Sequence, residues 1–67
     1  MSVARVTEIS AMSETSFEDA VTKGVERASA TLRGVRSAWV REQRVNVEDG
    51  RISQYQVNLM VTFLLED

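Results

Sequence analysis

Few side chains in this 67-residue sequence could do chemistry. Trp39 is the only tryptophan; its indole offers a face for stacking, and the same residue type is enriched at contacts between subunits. Gln54, Gln56 and Asn58 recur at every second position and supply amide donors and acceptors that must find partners wherever they are buried. Seven of the eight basic residues are arginine, and Arg33, Arg36, Arg41, Arg44 and Arg51 fall within nineteen positions, interleaved with Glu42, Glu48 and Asp49. Guanidinium forks match phosphate oxygens, so a carrier site for a phosphate-bearing coenzyme is one reading of this cluster and ion pairs between subunits are the other. Glu48 with Asp49, and Glu66 with Asp67, are oxygen donors for calcium if symmetry gathers them, and otherwise a solvated turn and tail; no loop has recognisable calcium spacing. Cysteine and histidine are absent, which removes disulfides, thiolate zinc sites, thiol nucleophiles and histidine acids, bases and ligands. No nucleophile stands beside a base and no carboxylate pair is patterned into an apolar pocket, so the expectation is binding without catalysis.

What must position these residues is a single domain spanning residues 1–67, because a smaller unit could not cover its own core. Hydrophobic residues make up 43% and charged residues 27%, with no proline and three glycines, a composition that folds. The net charge of -2 argues against nucleic acid and anionic membranes as partners. Arg5 and Glu8 interrupt the first ten residues, leaving no apolar run for a secretory signal or a span; a soluble cytoplasmic protein is expected.

Met1 to Ala11, with Val3, Val6 and Ile9, reads as a short strand entering a loop. A helix follows, capped by Thr15 or Ser16 with Glu18 or Asp19 three residues on. Phe17, Ala20, Val21, Gly24, Val25, Ala28 and Leu32 recur at intervals of three and four and form one apolar stripe. Asp19 and Lys23 are an (i, i+4) pair on the solvated side, and Gly34 is a candidate left-handed stop.

From Ser37 to Val47 and from Ile52 to Leu65 the period becomes two, and Asp49-Gly50 between them signals a tight hairpin. A two-residue loop there sets Val40 opposite Leu59, Trp39 opposite Met60 and Ala38 opposite Val61. One face then carries Ala38, Val40, Tyr55, Val57, Leu59, Val61, Phe63 and Leu65 and takes the helix. The other carries Ser37, Trp39, Gln43, Val45, Val47, Ile52, Gln54, Gln56, Asn58, Met60 and Leu64, with no second helix to cover it. The fold class is α+β: β-α-β-β, a three-stranded antiparallel sheet on one helix with the third strand central. A chain this small lacks disulfides and metals to stabilise it, and its second sheet face is partly apolar, so a closed symmetric homo-oligomer is expected.

The Ser13-Glu14-Thr15-Ser16-Phe17-Glu18-Asp19-Ala20 helix start, the Ala28 to Leu32 segment, Tyr55-Gln56-Val57 and the closing Val61-Thr62-Phe63-Leu64-Leu65-Glu66 together resemble the dodecin family. The resemblance implies a hollow homododecamer of β-α-β-β protomers and, for many members, a bound flavin (riboflavin or FMN) held between symmetry-related subunits. In flavin-binding members a tryptophan stacks on the isoalloxazine; its place here is Ser37, and Trp39 lies two residues further along the same face, about 6.5–7 Å away. The family glutamine that bonds the ring edge falls on Gln56, and an arginine near the flavin side chain falls on Arg44. In the flat hairpin register Arg44 points to the helix face and reaches a ligand only if a bulge or strong twist re-aims it. The stretch Arg36-Ser37-Ala38-Trp39-Val40-Arg41-Glu42-Gln43 also resembles a flavin-free dodecin-like branch, some of whose members bind calcium.

Overall fold

The computed structural model describes residues 2–65; the expected strand start at Met1 and the acidic pair Glu66 and Asp67 lie outside them. Its elements are β1 (Ala4–Ser13), α1 (Phe17–Thr31), β2 (Val35–Glu48) and β3 (Arg51–Leu64). The strands form one antiparallel sheet in the order β1-β3-β2, with α1 on one face. This is the β-α-β-β architecture read from the sequence, with the most apolar strand in the middle.

β1 runs two residues past its expected end because Ser13 is needed there. This buried serine accepts from the N–H groups of Thr15 at 2.9 Å and Ser16 at 3.4 Å, and donates to Asp19 Oδ2 at 2.6 Å. The turn into the helix is thereby fixed, and Ser16 caps it by accepting from the Asp19 N–H at 3.0 Å. Asp19 also pairs with Lys23 at 3.0 Å. The Ser13 hydroxyl, and after it Lys23, hold the Asp19 carboxyl below its ordinary range.

Along α1 the buried positions are Ala20, Gly24 and Ala28, four apart, flanked by Phe17, Val21, Val25 and Leu32. They meet Val57, Leu59 and Val61 of β3, all fully buried, together with Ile9 and Ala11 of β1. A Cβ at Gly24 would stand 2.8 Å from Leu59 Cδ1 and 3.0 Å from Ala11 Cβ, so glycine is what lets the helix come this close. Val3 and Val6 of the expected first strand stay exposed, as does Leu65, which lies past the end of β3 instead of in the core.

The helix stops before Gly34. Leu32, packed against the core, takes an extended conformation (φ -105, ψ 139) while its N–H still bonds Ala28 O at 2.8 Å. Gly34 has φ +71, but there it turns the chain into β2, and its carbonyl accepts from the Leu64 N–H at 3.0 Å.

The hairpin turn is as expected: Asp49 (φ 53) and Gly50 (φ 74) are both left-handed, the pattern whose twist matches that of the flanking strands. Pairs Ala38↔Val61, Trp39↔Met60 and Val40↔Leu59 hold too. Between them and the turn, however, Arg41 is an extra residue on β2 and Ser53 an extra residue on β3. The intervening stretch is displaced by one, giving Glu42↔Asn58, Gln43↔Val57, Arg44↔Gln56, Val45↔Tyr55 and Asn46↔Gln54. A displacement of one exchanges the faces. Gln43 and Val45, expected on the open face, therefore lie opposite the helix-side residues Val57 and Tyr55. Arg44, which the flat register turned toward the helix, joins Gln56 on the open face.

Candidate functional site on the open sheet face

Opposite α1, the register sets residues in cross-strand rows: Met12–Gln56–Arg44, Ser10–Asn58–Glu42, Glu8–Met60–Trp39 and Val6–Thr62–Ser37. Of the four site residues drawn from the sequence, Gln56 and Arg44 are thus direct partners. Trp39 and Ser37 share the face but sit toward the other end; the Gln56 and Met60 rows are about 13 Å apart along β3. A single chain does not bring the indole against Gln56. Trp39 is 51% exposed and Met12 50% exposed, so the face holds uncovered apolar surface at both ends.

Its middle is polar and connected. Asn58 Nδ2 donates to Glu42 Oε1 at 2.5 Å, while Asn58 Oδ1 accepts from Ser10 Oγ at 2.7 Å and from Gln56 Nε2 at 3.4 Å. Arg44 Nη2 lies 3.5 Å from Glu42 Oε1. Toward the hairpin tip, Asn46 Nδ2 donates to Gln54 Oε1 at 3.2 Å. Arg41, the extra residue of β2, reaches over the central strand to Glu8 of β1, with Nη1 2.9 Å from Oε1. Sequence reasoning missed Ser10, Glu8 and Glu42 as members of this face. Glu42 becomes visible only once Arg41 is known to be the inserted residue, and Ser10 only once the β1–β3 register is known.

Two grooves flank the helix. One of about 310 Å³ runs between α1 and β2 and is lined by Val21, Val25, Ala38, Trp39 and Val40. The other, about 540 Å³, lies between α1 and β1, with Ile9, Ala11 and Gly24 below and Lys23 and Arg27 at its rim. Neither is lined by Gln56 or Arg44. Among the described residues no three acidic side chains gather in a way that could hold a metal ion, and no helix is long and apolar enough to cross a membrane.

The sequence profile of the dodecin family matches residues 3–66. The chain belongs to the dodecin family. Solved dodecins superpose on it closely. Dodecin from Streptomyces davaonensis is 35% identical with a TM-score of 0.93, the match covering 98% of this chain and 97% of that one. An arginine-to-alanine variant of Thermus thermophilus dodecin is 33% identical with a TM-score of 0.93, covering 100% and 98%. The calcium dodecin of Mycobacterium tuberculosis, described as a calcium-chelating immunodominant antigen with a novel calcium-binding site, is 33% identical with a TM-score of 0.84, covering 96% and 91%. No curated protein sequence matches significantly.

Proposed function

We propose that this dodecin is the protomer of a closed homododecamer that binds and stores a flavin, riboflavin or FMN, without converting it. Residues 1–67 act as one domain, and the ligand lies on the open sheet face where symmetry-related copies meet. Gln56 bonds the ring edge and Arg44 faces the flavin side chain. Trp39 supplies the stacking platform, contributed across a subunit contact because its own Gln56 is out of reach. Ser37, at the place of the family tryptophan, lines the site without stacking. The observation that carries this reading is the pairing of Arg44 with Gln56 on an uncovered face, which sets a cation and an amide side by side. Membership of a family whose solved members superpose at TM-scores of 0.93 supports it.

Titration of riboflavin and of FMN with the assembled protein tests it. Flavin emission is expected to quench on binding, and quenching is expected to weaken strongly in Trp39→Ala. Full emission at micromolar protein removes the flavin; undiminished quenching in the variant moves the platform elsewhere.

A second reading is favoured by the match to calcium dodecin: a flavin-free particle that binds calcium through acidic groups gathered by symmetry. It requires a melting temperature that falls on addition of chelator, and a chelator-indifferent melt counts against it.

A further inference from the structure

We infer that Glu42 and Asn58 are positioning residues that fix which way the Gln56 amide faces, and so dictate the order of donor and acceptor that a bound ring must present. The identity of that ring rests on the flavin reading above; the orientation of the amide does not. An ionised carboxylate only accepts hydrogen bonds. Because Asn58 stands 2.5 Å from Glu42 Oε1, the atom it turns there must be its nitrogen. Asn58 Oδ1 then points the other way, where it takes the Ser10 hydroxyl at 2.7 Å. The same oxygen lies 3.4 Å from the Gln56 amide, and an oxygen can be met there only by the Gln56 nitrogen. The reverse orientation would set two carbonyl oxygens against each other. Arg44, 3.5 Å from Glu42 Oε1, balances the charge that starts this relay.

Polarity therefore runs from one carboxylate through two amides and leaves Gln56 Oε1 an acceptor with no donor among the described residues, with one remaining N–H beside it. The matching ligand edge is a ring N–H next to a ring carbonyl, the pattern of a cyclic imide. A ring alkylated at that nitrogen cannot donate to Gln56 Oε1 and leaves it unpaired. The family glutamine accounts for contact with a ring edge; Glu42 and Asn58 account for its direction.

Two measurements test this. Neutron diffraction from deuterated crystals of the assembled, ligand-free protein should place deuterons of Asn58 Nδ2 toward Glu42 and of Gln56 Nε2 toward Asn58; a reversed Gln56 amide overturns the proposal. Separately, lumiflavin and its N3-methyl derivative are titrated into wild type, Asn58→Thr and Glu42→Gln. Each substituted group can both donate and accept, so each releases the polarity with little change of shape. Wild type should prefer the N3–H ring by about tenfold, the scale of one satisfied hydrogen bond, and both variants should bring that preference within about twofold. A preference that persists in both variants overturns the role of Glu42 and Asn58. Absence of binding by either flavin to wild type would end the flavin reading, with the neutron result still deciding the amide.

Discussion

The Asp19 carboxylate accepts from the buried Ser13 hydroxyl and pairs with Lys23, and these contacts hold its pKa below the ordinary value. A carboxyl depressed in the folded state stabilises the fold fully above its unfolded pKa, about 4. That stabilisation is lost as pH falls through the lower, folded value. Asp19→Asn is therefore expected to melt at a lower temperature than wild type near pH 7, with the gap narrowing as pH falls below about 4 and closing once the depressed folded-state carboxyl is itself protonated. Thermal melts across that range check it; a gap independent of pH would assign the effect to shape and not to charge. The Lys23 half of this arrangement was legible from the (i, i+4) spacing. The Ser13 half was not, because Ser13 belongs to the preceding strand and only the turn geometry folds it back onto the helix.

α1 rests on the sheet through Gly24, where an added methyl would meet Leu59 and Ala11. Alanine is the better helix former by about 1 kcal/mol, yet overpacking a core costs about 1–3 kcal/mol. Leu59 is fully buried in the core, and the Ala11 methyl is fixed to its strand. Gly24→Ala should therefore destabilise, by about 1 kcal/mol net, as read by chemical denaturation. An increase in stability would mean that the helix can lift off without loss. Sequence periodicity sufficed for the helix, the hairpin and the strand order, since apolar spacing and the Asp49-Gly50 turn each have one good structural solution. The bulge at Arg41 escaped it for a physical reason. Arg41, Glu42, Gln43 and Arg44 are all polar, so no apolar alternation marks which of them is the extra residue. On the open face the position of Gln56 was legible, because β3 pairs without interruption from Gln54 to Thr62, whereas the face of Arg44, beyond the extra Arg41, was not.

The whole molecule is elongated, 51 × 19 × 13 Å, because the hairpin outruns β1, whose last pair is Ser13↔Tyr55. Beyond that point two strands project alone, with Val47 64% and Ile52 51% exposed. An isolated two-stranded ribbon is marginal in water, and apolar side chains at its tip argue for cover from another copy. Native mass spectrometry is expected to find twelve protomers together, and Ile52→Asp to shift the population toward smaller species. A folded single chain of wild type at micromolar concentration would remove the assembly.

The inserted Arg41 and Ser53 act as a matched pair. Strand faces depend on parity, so the first insertion advances Glu42 to Asn46 by one place against β3, and the second cancels that advance before the turn, which keeps the tight Asp49-Gly50 reversal in step with both strands.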